Sequence, residues 1–306
     1  MRDLDQSPPP LRRGEIQPSL PILISRSLVR GYGLDRLAAE IRLRRTLFDL
    51  IGLRRTAKLM LERFQGDPLP MFDGISKRFQ GKRILEIGGP SKPFGSLLPI
   101  YKICGGIDNV EWTSGLNAAD KAIAEVAPQS EILRPRNFFV AEAADLGMIA
   151  GETYDAVISS HVLEHLANPV KAIKEWRRIL KIGGTLLAIV PRREFGFDHG
   201  RSITLFEHIL GDYVEGTSED DPTHVNEMLL LHDVRMDSGA WPPEVFRFRV
   251  SHNLDYRVIH HHVFDDNTLA KTVAYAGFSV ELLTMHPLVG TIVVATATAD
   301  IEKLHG

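Results

Sequence analysis

The stretch Arg83-Ile84-Leu85-Glu86-Ile87-Gly88-Gly89-Pro90 decides the fold. Its first five residues are mostly apolar and predict a short buried strand, and the glycines that follow predict a tight loop. Glycine allows positive φ angles and lets the backbone approach a ligand closely. In an open parallel sheet, ligands bind beyond the carboxyl ends of the strands, so this loop is a candidate binding site.

Short apolar runs alternate with helical stretches from residue 82 to residue 191, and this alternation predicts a parallel sheet with crossover helices. The predicted strands cover residues 83–87, 103–107, 137–141, 154–159 and 184–190. Between residues 192 and 257 the alternation stops, which indicates an insertion. A helix over 267–276 and two strands over 278–284 and 291–297 complete the predicted pattern.

The composition is that of an ordinary globular protein of 306 residues, long enough for one large α/β domain with additions. A net charge of -3 does not mark the whole chain as a binder of nucleic acid or membranes. Cys104 is the single cysteine, which fits a reducing compartment, and we expect a cytoplasmic protein. The first residues lack an apolar signal core, and no later run approaches the roughly 18 apolar residues of a membrane span.

The first 80 residues differ in character from the rest. Residues 1–24 are rich in proline and predict an extended or disordered tail, and residues 25–80 predict a helical extension. Residues 25–64 carry ten Lys and Arg against four acids. Basic amphipathic helices bind anionic membrane surfaces, and a solvated helix face is the alternative. Nucleic acid is the weaker expectation, because the body lacks an evident aromatic and basic surface.

Two acidic residues follow later predicted strands. Asp108 lies 22 residues after Glu86, near the end of the second strand, where a carboxylate can accept hydrogen bonds from both hydroxyls of a ribose. Glu142 follows the third strand, where a carboxylate can accept from an adenine amino group. The alternative for each is a structural acid at a strand end. Their order along the chain favours a nucleoside site over an isolated glycine turn.

The region from residue 83 to 191 resembles the class I S-adenosylmethionine-dependent methyltransferase domain, through the phrases LEIG, YDAVISSHVLEHLANP and LKIGG. The motifs GGPS at 88–91 and HHHVFD at 260–265 resemble a bacterial methyltransferase group, some of whose relatives modify glycans or other polar metabolites. The resemblance implies a Rossmann-like α/β fold: a central, mostly parallel seven-stranded sheet with a terminal antiparallel strand. The domain is expected to span residues 81–306, with a His-rich insertion at 192–258 after the fifth strand.

The resemblance also implies S-adenosylmethionine as cofactor. Glu86, Gly88 and the loop are expected to contact its methionine part, Asp108 its ribose, and Glu142 with Ala143 its adenine. The full set of residues predicted to bind the cofactor is Glu86, Gly88, Gly89, Pro90, Ser91, Asp108, Asn109, Glu142, Ala143, Ser160 and His161. Pro90 and Lys92 stand where the family has small residues, and proline fixes φ and lacks an N–H, so the loop path is expected to be atypical.

Methyl transfer to oxygen or nitrogen usually needs a base for the acceptor proton. His161 ends the fourth strand, and an imidazole titrates near neutral pH, so His161 is the first candidate for this base. The alternative is that His161 orients the cofactor or caps the next helix. His199 and His262 are the further catalytic candidates.

Eight of the twelve histidines lie in the insertion or just after it. One interpretation is a polar substrate pocket, built from Asp198, His199, Arg201, His208, His224, Glu227, His232, His260 and His262. In that pocket the Arg201 fork would suit an anionic acceptor. A second interpretation is a divalent metal site of two histidines and a carboxylate. His260 and His262 would point to the same face of a strand, and His224 and Glu227 lie three residues apart on a plausible helix. A surface location for most of these histidines is the third.

The function predicted from these features is O-methylation of a polar small molecule or glycan. N-methylation of a metabolite is a variant, and a non-catalytic nucleotide-binding module of the same fold is an alternative of another class. An RNA methyltransferase that uses the basic helices is a weaker alternative. A dinucleotide-dependent oxidoreductase shares the glycine turn and the later acid, but it does not explain the order of the later motifs. The sequence makes no prediction of the oligomeric state.

Overall fold

The computed structural model describes residues 68–112, 137–236, 242–287 and 289–299. The predicted tail at 1–24 and the basic segment at 25–64, with its expected membrane contact, lie outside the described residues. The described part of the predicted N-terminal extension contains helix α1 (Met71–Ile75) and a 3-10 turn at Ser76–Arg78. Phe72 and Ile75 of α1 are buried, so this segment packs onto the domain.

The described residues form a seven-stranded sheet in the order β3-β2-β1-β4-β5-β7-β6. The strands are β1 (Arg83–Ile87), β2 (Gly106–Glu111), β3 (Phe138–Val140), β4 (Tyr154–Ser160), β5 (Leu180–Val190), β6 (Phe278–His286) and β7 (Gly290–Ala297). Strands β1 to β5 pair in parallel, whereas β7 runs antiparallel to its neighbours β5 and β6. The predicted mostly parallel sheet with a terminal antiparallel strand is confirmed.

Both faces of the central strands are buried, as expected for a parallel sheet covered on its two sides. Leu85 and Val157 face one apolar cluster, in which Trp176 is fully buried. Ile84 and Ile158 face a second cluster on the opposite side of the sheet. The alternation of neighbouring residues between two cores explains why β1 and β4 read as nearly continuous apolar runs.

The described helices after α1 are α2 (Lys92–Gly95), α3 (Pro169–Ile179), α4 (Phe206–Glu215), α5 (Val225–Leu231), α6 (Pro243–Ser251), α7 (Asn253–Tyr256) and α8 (Asp266–Tyr275). Helix α3 begins with proline at its first position, and the Asn168 side chain accepts a hydrogen bond from the Lys171 N–H at 3.0 Å. None of the described helices is long and apolar enough to cross a membrane.

Helices α4 to α7 lie between β5 and α8, where the sequence predicted an insertion. Part of the insertion has a small core of its own, formed by Met228, Phe246, Val250 and Ile259. The side chain of His232 stacks between Phe197 and Phe246, with ring centroids 4.2 and 4.4 Å away. The His-rich segment is therefore an ordered, packed part of the domain.

Two sequence predictions need correction. The second strand begins at Gly106 and not at Ile103, because Ile100–Lys102 form a 3-10 turn and the Cys104 N–H donates to the Ile100 carbonyl. The segment 257–264 is not a strand; it connects α7 to α8 without ladder pairing among the described residues. The shifted second strand changes which acid stands at its end, with consequences for the site.

The N-cap of α8 provides a test of local stability. The Asp265 side chain accepts a hydrogen bond from the Thr268 N–H at 2.7 Å. Replacing an N-cap acid with alanine leaves this N–H without its partner, so Asp265→Ala should lower the free energy of unfolding by about 1 kcal/mol. Urea denaturation measures this change. Asn267→Ala, at an exposed position in the same first turn, is the control, and an equal loss there would contradict a capping role.

Candidate functional site

A cleft opens at the carboxyl edge of the sheet, beyond the ends of β1 to β4. Its lining comes from residues at these strand ends and from the insertion, chiefly Gly88, Glu111, Trp112, Glu142, His161 and Arg257. It has about 630 Å³ of space, including its open mouth. Clefts of this size and position bind small molecules and cofactors in open α/β sheets.

The loop after β1 is held from below by the buried carboxylate of Glu86. This carboxylate accepts hydrogen bonds from the Tyr101 hydroxyl, at 2.7 and 2.9 Å, and from the Ser91 N–H at 3.0 Å. Burial raises the pKa of Glu86 to about 7 despite these donors. Glu86 is therefore engaged in holding the loop and does not line the cleft.

Neighbouring side chains leave no room for a Cβ atom at Gly88 or Gly89, so both positions of the loop require glycine. Gly88 has φ +73°, and a Cβ there would stand 2.4 Å from Cγ2 of Val162. A Cβ on Gly89 would stand 2.0 Å from Cδ of Glu86. Asn109 adds a further constraint, since its side-chain amide donates to the Gly89 carbonyl at 2.5 Å. Glu86, Gly89 and Asn109 thus fix the path of a loop that contains Pro90.

Asp108 does not lie in the cleft, which corrects its predicted contact with a ribose. Its carboxylate is buried, and it accepts hydrogen bonds from the Tyr154 hydroxyl at 2.8 Å and the Arg83 guanidinium at 3.0 Å. The backbone and side-chain amides of Asn137 donate to its other oxygen, at 2.9 and 3.1 Å. With both oxygens occupied inside the sheet, Asp108 connects β2 to β1, β4 and the start of β3.

Glu111 occupies the position that was assigned to Asp108. It is the last residue of β2, and it lines the cleft. Burial raises the pKa of Glu111 to about 7. Since no hydrogen bond to its carboxylate is formed among the described residues, Glu111 is able to accept hydrogen bonds from a ligand. The sequence prediction looked for an acidic residue at the end of the second strand. With the strand boundary of the structure, that residue is Glu111.

Glu142 lines the cleft, as predicted, but its carboxylate is paired with Arg257 of the insertion. The same guanidinium donates to Glu219 at 2.6 Å and lies 5.4 Å from the ring centroid of Trp112. Burial raises the pKa of Glu219 even with Arg257 beside it. Arg257 thereby ties the insertion to the end of β3 and forms one wall of the cleft.

His161 lines the cleft directly after β4, and its backbone has a left-handed φ of +57°. Such backbone costs of order 1–3 kcal/mol for a residue other than glycine and is found at functional sites. Nδ1 of His161 lies 3.5 Å from Oε1 of Glu164. Burial alone would raise the pKa of Glu164, but the three histidines around it lower that pKa below its usual range. Glu164 is thus a buried anion directly behind His161.

A buried polar cluster continues from Glu164 into the insertion. The rings of His165 and His260 are 4.4 Å apart, and Nδ1 of His260 lies 2.5 Å from Asp198. Burial and His260 lower the pKa of His165 to about 4. Burial would also lower the pKa of His260, but the Asp198 carboxylate raises it. His260 and Asp198 therefore form a buried ion pair behind the cleft wall.

Arg201 is not placed to bind an anionic acceptor, which corrects the prediction for this residue. Its side chain is buried and donates to Asp198 at 3.0 Å and to Glu227 at 2.9 Å. These two carboxylates neutralise the guanidinium. Arg201 therefore connects the segment around Asp198 to Glu227 of α5. Asp198 and Glu227 are occupied by the same contacts.

Two more predicted substrate residues do not line the cleft. His199 has a half-exposed side chain, with Nε2 3.3 Å from an oxygen of Asp233. His232 is stacked between two phenylalanine rings, as described above. The catalytic role expected for His199 gains no geometric support, because neither His199 nor Asp233 is among the residues that line the cleft.

The expected two-histidine metal site is also rearranged. His260 and His262 do not share one ligand group: His260 adjoins Glu164 and His165, whereas His262 adjoins His208 and His224. The irregular backbone of 257–264 removes the strand alternation on which the expectation rested. His262, a predicted catalytic residue, is buried outside the cleft lining.

Four of the predicted cofactor residues line the cleft: Gly88, Glu142, Ala143 and His161. The remainder lie outside its lining, namely Glu86, Gly89, Pro90, Ser91, Asp108, Asn109 and Ser160. Sequence reasoning missed Glu111, Trp112 and Arg257. The corrected end of β2 leads to the first two, but no local signal marks Arg257, which reaches the cleft from a distant part of the chain.

Residues 110–188 match the family model described as a methyltransferase domain. A stretch of 121 residues is 27% identical to the highly reducing polyketide synthase pkhB of Emericella nidulans. The matched stretch covers 38% of this chain and 5% of that protein. The chain therefore corresponds to a small part of this curated relative.

Two similar solved structures are S-adenosylmethionine-dependent methyltransferases from Methanosarcina mazei and Mesorhizobium loti. The first is 16% identical with a TM-score of 0.44, over 76% of this chain and 100% of that chain. The second is 12% identical with a TM-score of 0.44, over 74% of this chain and 96% of that chain. These similarities concern the fold alone.

The loop contacts predict a large effect of one methyl group. In Gly89→Ala the new Cβ would overlap the Glu86 carboxylate, so the loop or Glu86 must shift, and we expect a loss of about 1–3 kcal/mol in the free energy of unfolding. Gly74→Ala is the matched control, because a Cβ at this helical position meets nothing within 4 Å. Denaturant unfolding should show Gly74→Ala unchanged or more stable. Equal stability of the two variants would contradict the tight loop.

Proposed function

We propose that this chain, which contains a class I methyltransferase domain, methylates an oxygen atom of a polar small molecule or saccharide. The observation that carries the proposal is the His161–Glu164 pair at the carboxyl end of β4, in the wall of the cleft. A hydroxyl acceptor must lose its proton as the new bond forms, and an imidazole backed by a carboxylate is suited to take it.

The cleft fits S-adenosylmethionine in the chemistry of its donors and acceptors. Glu111 offers a carboxylate without a hydrogen bond among the described residues, which suits the two hydroxyls of a ribose. Gly88 brings backbone to the cleft surface where the methionine part is expected, and Ala143 lines the end assigned to adenine. When bound, the cofactor supplies the electrophilic methyl group.

The residues of the chain orient the acceptor, exclude water and hold the proton. Nδ1 of His161 lies beside Glu164, so Nε2 is the ring nitrogen available to an acceptor in the cleft. Glu164 acts through His161 and is a positioning residue: its buried charge orients the ring and stabilises the imidazolium formed after proton transfer. The insertion contributes Arg257 to the wall of the cleft.

A polar acceptor agrees with this cleft, because His161, His165 and Arg257 are among the residues that line it. The resemblance to a bacterial group, some of whose relatives modify glycans or other polar metabolites, supports the same class of acceptor. We propose a cytoplasmic location, because a single cysteine fits a reducing compartment. N-methylation uses the same base and remains the variant. The atypical glycine loop, in which Pro90 and Lys92 replace small residues, favours a second candidate, a non-catalytic nucleotide-binding module of the same fold.

His161→Ala tests the base. We expect methyl transfer to fall by roughly 10²–10⁴-fold, because proton removal loses its general base, while the affinity for S-adenosylhomocysteine stays within a few-fold. Labelled S-adenosylmethionine with a panel of saccharides and polar metabolites identifies the acceptor and measures turnover. Calorimetry measures binding of the cofactor product.

His252→Ala is the control for this experiment, because His252 is exposed and lies outside the cleft lining. Normal turnover in His161→Ala would overturn the assignment of the base. Binding of neither S-adenosylmethionine nor S-adenosylhomocysteine to the wild-type protein would remove both the transferase and the cofactor assignment.

Glu111 predicts a pH dependence of cofactor binding. Its pKa of about 7 means that the free protein is largely protonated there at pH 6 and ionised at pH 8. Ribose hydroxyls donate to the ionised form, so the affinity for S-adenosylhomocysteine should rise about tenfold from pH 6 to pH 8. Calorimetric titrations at several pH values measure this dependence.

Glu111→Gln should weaken binding at pH 8 and flatten the pH dependence, whereas Asp108→Asn should retain it. Glu86 also has a pKa of about 7 and holds the neighbouring loop, so it is the other group that can produce the effect. An unchanged pH dependence in Glu111→Gln would assign the titration to Glu86 and contradict the role given to Glu111.

A further inference from the structure

Three histidines and one aspartate gather in the insertion and the segment just after it, outside the lining of the cofactor cleft. His208 and Asp212 lie one turn apart on α4, His224 directly precedes α5, and His262 lies in the segment between α7 and α8. We refer to these four residues as the histidine–aspartate cluster. Three separate parts of the chain therefore converge on one point.

The distances within the cluster suit a shared cation. Nε2 of His208 lies 3.2 Å from Nε2 of His224 and 3.5 Å from Oδ2 of Asp212. Nε2 of His262 lies 3.7 Å from the same Asp212 oxygen. Around a zinc ion with ligand distances of about 2.0–2.1 Å, tetrahedral ligands stand about 3.3–3.4 Å apart. The spacings of 3.2 and 3.5 Å around His208 are close to the edges of such a tetrahedron, and the ligand atoms of His208, His224 and His262 all lie within 4.8 Å of one another.

Some buried polar atoms of the cluster have no hydrogen-bond partner within the part of the chain that the structure describes. Oδ2 of Asp212 is buried and has no hydrogen-bond partner among the described residues. The other oxygen, Oδ1, accepts from the Thr217 hydroxyl at 3.1 Å, which fixes the carboxylate. A buried carboxylate oxygen directed at two imidazole nitrogens is costly unless a cation neutralises it.

A second layer of contacts orients one of the ligands. Nδ1 of His224 lies 3.4 Å from Oε2 of Glu227, and Glu227 is held in turn by Arg201 at 2.9 Å. A carboxylate behind one ring nitrogen sets the tautomer and leaves the other nitrogen free for a metal. The opposite side of the cluster is open, since the His208 side chain is 45% exposed and gives an ion access from solvent.

We propose that the three clustered histidines His208, His224 and His262, with the neighbouring Asp212 as the fourth ligand, bind one zinc ion. Three imidazoles and one carboxylate suit zinc, whereas magnesium and calcium prefer sites made of oxygen ligands. Four protein ligands complete a tetrahedral shell, so the ion has a structural role and joins α4, the start of α5 and the segment before α8. The proposal does not depend on the transferase activity.

The ion would hold the insertion beside the cofactor cleft. Nε2 of His262 donates to the carbonyl oxygen of Ala167 at 3.3 Å, next to Leu166 of the cleft wall. This leaves the buried Nδ1 of His262, which has no hydrogen-bond partner among the described residues, to bind the ion. Asn168 donates to the Asp212 carbonyl at 2.9 Å. Loss of the metal is therefore expected to loosen the wall of the cleft as well as the insertion.

The test measures zinc binding by the full-length protein. After dialysis against a chelator, we expect zinc titration followed by gel filtration and elemental analysis to give one ion per chain, together with a rise in the melting temperature. Asp212→Asn and His224→Ala should each weaken binding on the order of 100-fold or more, measured by competition with a chromophoric chelator. His252→Ala should bind zinc as the wild type does, because His252 lies outside the cluster.

Cobalt substitution gives a readout that does not depend on variants. Cobalt(II) in the wild-type site should show the intense visible absorption of tetrahedral coordination, and zinc should abolish it. Circular dichroism confirms that the variants fold. Absence of retained zinc in the wild type, a cobalt spectrum of octahedral type, or equal zinc affinity in folded Asp212→Asn and His224→Ala would each overturn the site.

Discussion

Parallel pairing of β1 with β2 on one side and β4 on the other brings the functional residues of this protein to one edge. Ile87 at the end of β1 is level with Val110 of β2 and Ser159 of β4. The residues that follow these strand ends therefore open onto the same cleft, although they are far apart in sequence. The cofactor loop, Glu111 and His161 all depend on this register.

The acids of the motifs divide between the framework and the cleft according to their position along the strands. Glu86 and Asp108 lie within β1 and β2, where a buried carboxylate is stable only if donors surround it. Glu86 accepts hydrogen bonds from Tyr101 and Ser91, and Asp108 accepts one from Tyr154. Glu111 is the last residue of β2 and lines the cleft. There a ligand, rather than the protein, can supply the hydrogen-bond donors for its carboxylate.

The insertion joins the candidate base to the proposed metal site through buried polar contacts. Glu164 behind His161 adjoins His260, which contacts Asp198, and Arg201 links Asp198 to Glu227. Glu227 in turn contacts His224 of the histidine–aspartate cluster. A chain of neighbouring polar side chains therefore connects the cleft wall to the histidine–aspartate cluster, and a displacement of the insertion is expected to affect both.

The sequence by itself determined the sheet, the glycine loop and the position of His161, because strand alternation, glycine turns and the strand-end rule are local properties. It assigned the acid at the end of the second strand to Asp108, whereas a 3-10 turn at Ile100–Lys102 shifts this strand so that Glu111 ends it. Only the tertiary structure divided the histidines: His260 pairs with Asp198, and His262 joins His208. Arg257 also reaches the cleft through long-range folding. Contacts between distant segments leave no local periodicity from which they could be predicted.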